Sequence, residues 1–164
     1  MNLKLHHLCI LRHGVEVSSI QSFIACIASA IFYAQTDVNK EMLIKKFLPN
    51  AKKSVPTIIE MKELLIKAIT LDNFIKYQNG DLITSFADPE LSVNIETYSN
   101  TNLYEKMMKT QNKTEKKQAT QFLIRVAQSF EKFKLFLRDN KITIDYTYLW
   151  DLICMPNPNI FEAG

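Results

Sequence analysis

The strongest constraint on this fold is an amphipathic run between about residues 114 and 139. Its apolar residues recur at spacings of three and four, the period of a helix with one buried face. The recurring residues are Phe122, Val126, Phe130, Phe133 and Leu137. The positions on the other face carry charge, at Glu131, Lys132, Lys134 and Arg138. The run therefore predicts a long helix that packs one side against a core.

A second helix is predicted from about residue 19 to residue 35, where the sequence is apolar on nearly every side. Ser18 and Gln21 fit a capping box at its start. A helix without a polar face belongs in the centre of a core. We therefore expect its larger side chains to be buried, namely Phe23, Ile24, Cys26, Ile27 and Ile31. The apolar stretch at 23–34 is too short to cross a bilayer, so no membrane insertion is predicted.

The remaining patterns predict one mainly α domain over residues 1–164, a multi-helix fold around the buried central helix. Further helices are predicted at 38–48, at 56–69 and at 146–155, with a short continuation that ends at Asn79 and Gly80. The helix at 56–69 has an apolar stripe of Ile58, Ile59, Met61, Leu65 and Ile69. One or two short strands are predicted at 3–11 and 91–99, and a helix start at Asp88 and Pro89.

The composition excludes several function classes. Only three glycines occur among the 164 residues, so the chain has no Gly-rich loop for a phosphate group and no cofactor is predicted. The net charge of +3 is too small to predict a nucleic-acid partner unless the lysines cluster. The three cysteines each lie in an apolar run, which predicts buried, reduced thiols and a cytoplasmic protein.

All three histidines and Cys9 lie within residues 6–13. On a strand, His7, Cys9 and His13 would share one face. Their spacing matches no common zinc module and no second cluster of ligands follows, so no metal site is predicted.

The string SFIACIA, residues 22–28, resembles the first helix of the ovarian-tumour type of cysteine peptidases. In that alignment Ser22 stands where the family has its nucleophilic cysteine, and Cys26 lies one turn later. The family takes its base from a histidine near the end of the domain, whereas no histidine follows His13. The resemblance implies, as an alternative function, an inactive papain-like peptidase fragment. No catalytic residue is assigned.

Two candidate binding regions stand out. Five lysines, at Lys106, Lys109, Lys113, Lys116 and Lys117, could bind phosphate groups through charge and make the chain a weak nucleic-acid-binding module. The simpler interpretation is a mobile, solvated loop at 106–117. Trp150 could form a docking ridge, or it could pack with Leu149 and Ile153 onto the long helix.

The end of the sequence supplies a third candidate. Ile160 and Phe161 follow two prolines and have little helix to bury them. We expect this pair to dock against a partner or against further chain beyond Gly164.

Two longer strings, residues 11–28 and 146–164, resemble segments of large conserved proteins of nucleocytoplasmic large DNA viruses of the African swine fever virus and mimivirus type. The frequent Lys, Ile and Asn residues agree with such a source. The resemblance implies a non-catalytic structural or protein-interaction module, used in virion assembly or in the viral transcription machinery. It also implies the host cytoplasm or the virion as location. Its partner would be another protein or the remainder of a larger chain.

Overall fold

The computed structural model describes residues 14–34 and 55–154. These residues are mainly helical and contain no strand, so the mainly α class is confirmed for this part of the chain. The predicted strand at 3–11 and the predicted helix at 38–48 lie outside the described residues. The α-helices are α1 (Ser22–Ala34), α2 (Ile58–Ala68), α3 (Leu71–Phe74), α4 (Asp81–Ser85), α5 (Asn102–Lys109), α6 (Lys113–Arg138) and α7 (Tyr146–Cys154). Two 3₁₀ helices span Tyr77–Gly80 and Ile95–Tyr98.

The long helix α6 carries the centre of the core, with α2, α3, α4 and α5 packed against it. Its buried face runs through Leu123, Val126, Ala127, Ser129, Phe130, Phe133 and Leu137. Phe133 is fully buried, and its ring centroid lies 5.4 Å from that of Phe74 and 5.0 Å from that of Phe86. The prediction for Phe122 is wrong, because this side chain is 46 % exposed. The stripe begins one position later, at Leu123, since the first turns of α6 extend beyond the core.

Helix α1 packs against α2 with one face only. Ile24, Ile27 and Ile31 are buried as predicted. Cys26 is exposed instead, and Phe23 is only half-buried. A sequence that is apolar on nearly every side does not specify which side of the helix faces the core, and the exposed positions here are Ser22, Cys26, Ala30 and Tyr33.

The start of α1 and the end of α6 are joined by a buried polar cluster. Ser18 caps α1 as predicted, because its hydroxyl oxygen accepts a hydrogen bond from the Gln21 backbone N–H at 3.0 Å. The Gln21 side chain does not complete the capping box. Its amide group instead donates to the carbonyl oxygens of Asp139, at 2.8 Å, and Ile142, at 2.9 Å. This side chain therefore links α1 to the segment that follows α6.

Lys62 of α2 belongs to the same cluster and is buried. Its ammonium group donates to the carbonyl oxygen of Asp139 at 2.9 Å, to Asn140 Oδ1 at 2.7 Å and to Gln21 Oε1 at 3.3 Å. Burial lowers the pKa of Lys62, while the negative charge of Asp139 opposes this shift. A cation beside the last carbonyl groups of a helix is favourable, because that end of the helix dipole is negative.

Local predictions for the middle of the chain need four corrections. Pro56 precedes the capping residue Thr57 rather than starting α2, and Ile59 is exposed. Residues 91–99 form a turn and a 3₁₀ helix because the Asn94 side chain caps the Glu96 backbone N–H at 3.0 Å. No helix follows Asp88, whose carboxylate pairs with Lys132 at 2.9 Å.

Candidate functional site

Trp150, the single tryptophan of the chain, lies on the surface of α7 and is 59 % exposed. The prediction that it packs onto the long helix is therefore wrong. Leu149 and Leu152 fill the core, and Tyr148 supplies the contact with α6 through a ring centroid distance of 5.0 Å to Phe136. Burying these three positions turns Trp150 outward.

Trp150 lines an open cleft between α7 and the segment that precedes α4. The cleft has a volume of about 520 Å³ and is lined by Lys76, Gln78, Asn79, Tyr146, Thr147, Trp150 and Asp151. We call it the Trp150 cleft. Tyr146 is 60 % exposed and lies one helical turn from Trp150. Its ring is held edge-on against Phe23 of α1, with 6.3 Å between the ring centroids. Two large aromatic rings therefore stand side by side along one wall.

The opposite wall contains a left-handed turn made of Gln78, Asn79 and Gly80, with φ angles of 48°, 54° and 94°. The Asn-Gly pair predicted the end of a helix at this point, whereas α3 already ends at Phe74 and the pair lies in the turn. A positive φ at Gln78 is unusual and needs support from its surroundings. The Asp151 carboxylate accepts a hydrogen bond from the Gln78 backbone N–H, and the Gln78 amide group donates to the Thr147 carbonyl oxygen. Helix α7 therefore holds both walls of the cleft together.

Two charged side chains, Lys76 and Asp151, line the cleft. The Asp151 carboxylate keeps its negative charge, but it is half-buried and accepts a hydrogen bond from the turn. Lys76 is exposed, and no carboxylate of the described residues lies within 4.0 Å of its ammonium group. Tyr77 is buried behind this wall, where burial and the nearby Asp151 charge raise its pKa to about 12. Tyr77 is therefore a neutral phenol at physiological pH, and the exposed charge of the cleft lining is that of Lys76, beside the half-buried charge of Asp151.

The lining of the Trp150 cleft offers several groups that can contact a ligand. It contains the Lys76 amine, the Asp151 carboxylate and the hydroxyl groups of Thr147 and Tyr146, and none of its seven residues is a histidine or a cysteine. Aromatic rings, side-chain amides and one free cation are groups that recognise a ligand by contact and hydrogen bonding. Sequence reasoning identified Trp150 but missed Lys76, Gln78 and Asp151. Only the Asn-Gly pair pointed to this region of the chain.

The five lysines occupy helices rather than a loop, so the predicted loop at 106–117 is wrong. Lys106 and Lys109 lie on α5, and the other three lie in the first turns of α6. Asn112 starts α6 because its side-chain oxygen accepts hydrogen bonds from the backbone N–H groups of Thr114, at 2.9 Å, and Glu115, at 3.4 Å. All five lysines are exposed.

One of the five lysines is neutralised by a neighbour. Lys109 forms a salt bridge with Glu105, with 2.5 Å between Nζ and Oε1. No salt bridge within the described part of the chain involves Lys106, Lys113, Lys116 or Lys117.

Several candidate residues from the sequence lie in parts of the chain that the structure does not describe. The three histidines, Cys9, Ile160 and Phe161 lie outside residues 14–34 and 55–154. Ser22 is exposed, and its hydroxyl group donates to the Ser18 carbonyl oxygen. Cys154, like Cys26, is exposed, contrary to the prediction of buried thiols. Within the described ranges, no group of three His, Cys, Asp or Glu side chains is placed to hold a metal ion.

Comparison with protein-family models, with curated proteins and with solved structures found no match to this chain. Among the described residues, no helix has both the length and the apolar character needed to traverse a bilayer.

Proposed function

We propose that this protein is a non-catalytic interaction module that binds a protein partner at the Trp150 cleft. The observation that carries the proposal is the pair of neighbouring aromatic rings, Trp150 at 59 % and Tyr146 at 60 % exposure, on one wall of a cleft. Tryptophan and tyrosine are the side chains that most often carry the binding energy of protein interfaces.

The openness of the cleft favours a segment of a protein over a small molecule. Sites for small ligands enclose most of the ligand surface. Here both rings are more than half exposed, so a bound group would stay partly open to solvent. An extended or helical segment can use such a surface, because it contributes contacts along its whole length.

The cleft is also held in shape before any partner binds. The Tyr146 ring packs edge-on against Phe23, and the hydrogen bonds from Gln78 hold the opposite wall against α7. A preorganised surface loses less conformational freedom on association, which supports affinity.

The resemblance to proteins of large DNA viruses is the basis for proposing a biological setting. The partner would be another component of the virion or of the viral transcription machinery, or the remainder of a larger chain, in the host cytoplasm or the virion. Ile160 and Phe161 follow α7 in the sequence and remain predicted contributors to binding.

The test is a selection of binding segments from a random peptide library displayed on phage, followed by titration of each enriched peptide. Because Trp150 is the single tryptophan, its fluorescence reports only on the cleft. We expect peptides that lack tryptophan to alter the Trp150 emission. The Trp150→Ala variant, followed by calorimetry, should bind them at least ten-fold more weakly. Phe122→Ala is the matched control, since it removes an exposed ring from α6. Equal binding by wild type and Trp150→Ala would overturn the proposal.

A second candidate function, weak nucleic-acid binding, has one specific observation in its favour. Lys113, Lys116 and Lys117 share one side of the first turns of α6, where the helix dipole is already positive. Cations at this end do not stabilise the helix, so an anionic partner would explain them. The test is titration with a fluorescein-labelled oligonucleotide at several salt concentrations. Binding through these lysines should weaken steeply with salt and weaken further in Lys113→Glu/Lys116→Glu. Binding that is absent at low salt would exclude this function.

A further inference from the structure

We infer that the Trp150 cleft selects a partner segment in which a carboxylate side chain lies next to an apolar or aromatic one. This inference rests on the proposed function, because it names the chemistry of the segment that the cleft binds. It is carried by the placement of one free cation opposite two aromatic rings.

The two walls of the cleft differ in chemistry. Tyr146 and Trp150 form the wall that α7 contributes, and Lys76 and Asn79 lie on the other wall. A segment lying between these walls would place an apolar side chain on the rings and an acidic one at the Lys76 ammonium group. The exposed amide group of Asn79 can donate to and accept from the backbone of the same segment.

The carboxylates near the cleft do not compete for Lys76. Asp151 is engaged by the Gln78 backbone N–H, and Asp145 accepts a hydrogen bond from the Thr147 backbone N–H at 2.9 Å. No salt bridge to Lys76 occurs among the described residues. Asp151 keeps its negative charge but is half-buried, so Lys76 is the exposed charge that a bound segment meets. A basic side chain placed there would meet a like charge, whereas an acidic one would gain an attractive interaction. Charge matching of this kind decides between partners more strongly than it sets the total affinity.

The test uses three versions of one enriched peptide that differ at a single position, which carries Glu, Gln or Lys. Each is titrated against wild type, Lys76→Glu and Lys141→Glu. Lys141 is also exposed but does not line the cleft, so its variant controls for net charge. Wild type and Lys141→Glu should prefer the Glu version over the Lys version by about ten-fold, and Lys76→Glu should reverse that order. Thermal unfolding checks that each variant folds.

The outcomes separate this inference from the proposed function. If wild type binds the three versions equally, or prefers Lys, the inference is wrong. If Trp150→Ala still weakens all three in that case, the proposed function survives. If Trp150→Ala binds them as tightly as wild type does, the proposed function fails, and this inference fails with it.

Discussion

The Asp151 carboxylate accepts a hydrogen bond from the backbone N–H of Gln78, a residue in the left-handed region with a φ of 48°. These residues are separated by 73 positions in the sequence. The bond joins the middle of α7 to the turn before α4 at the floor of the Trp150 cleft. The shape of the cleft therefore depends on a tertiary contact, and perturbing the turn should perturb the site.

The left-handed turn gives a direct test of backbone conformation. Gly80 has a φ of 94°, and a Cβ added there would lie 3.7 Å from the Ile75 carbonyl oxygen, an ordinary contact. Gly80→Ala should therefore lower the free energy of unfolding by about 1–2 kcal/mol through conformation alone. Gly14→Ala is the matched control, because no atom lies within 4 Å of the added Cβ and its φ is not in this region. Urea denaturation measures both, and equal stability of the two variants would contradict the positive φ at Gly80.

The buried Gln21 side chain should contribute strongly to the stability of the fold, although it is polar. Gln21 is itself buried, and Gln21→Ala removes two hydrogen bonds to backbone carbonyl oxygens and one acceptor for the buried Lys62, so we expect a loss of about 2–4 kcal/mol in unfolding free energy. Gln128→Ala also removes two such bonds, to Pro89 and Leu91 at 3.2 and 2.9 Å. Gln128 is half-buried, so water replaces its bonds and the loss should stay under about 1 kcal/mol. Similar losses in both variants would show that Gln21 is not a link between α1 and α6.

Two phenylalanines on α6 distinguish the observed core from the one predicted by periodicity. Phe133→Ala removes a fully buried ring and should lower the free energy of unfolding by about 3–5 kcal/mol. Phe122→Ala removes a ring that is 46 % exposed and should change it by less than about 1 kcal/mol. Chemical denaturation of the two variants measures the difference. A large loss of unfolding free energy in Phe122→Ala would show that Phe122 belongs to the buried face, as its spacing predicted.

Because Tyr77 is buried, the stability of the folded protein should fall with pH in the alkaline range. Its pKa is raised to about 12 in the folded state, so the folded protein retains this proton where the unfolded chain has lost it. The associated stability is fully present below pH 10 and is lost as the pH rises to about 12, by up to about 1.4 kcal/mol per pH unit.

Tyr77→Phe should reduce that slope. Tyr98, whose pKa is raised by burial and by its hydrogen bond to Glu131, should account for part of the slope that remains. Urea denaturation from pH 9 to pH 12 measures the dependence. An unchanged slope in Tyr77→Phe would place its hydroxyl group in solvent.

The helices were predictable where a local pattern repeats or a local cap begins them. The apolar period of α6 runs from about residue 122 to residue 137, and the prediction of 114–139 differs from Lys113–Arg138 by one residue at each end. Ser18 caps α1 as predicted, with its hydroxyl oxygen 3.0 Å from the Gln21 backbone nitrogen. These signals depend only on neighbouring residues, so the sequence contains them directly.

The corrections arise where a side chain's direction depends on distant parts of the chain. Cys26 is exposed because α1 turns its isoleucines toward α2, and a uniformly apolar sequence does not specify that rotation. At residues 106–117 the lysines indicated a loop, but the Asn112 side chain caps a helix that begins at Lys113. The Trp150 cleft was predictable only at Trp150 itself, because no local rule favours a positive φ at glutamine or pairs Gln78 with Asp151.

The binding constant of Trp150→Ala relative to wild type, for a peptide selected on wild type alone, tests the interaction function most directly. Removing an anchor ring from an interface costs about 2 kcal/mol or more, so the dissociation constant should rise about thirty-fold. Phe122→Ala, measured in the same way, should match wild type. Equal dissociation constants for Trp150→Ala and wild type would contradict a partner site at the cleft and would leave the lysines of α5 and α6 as the surface to test.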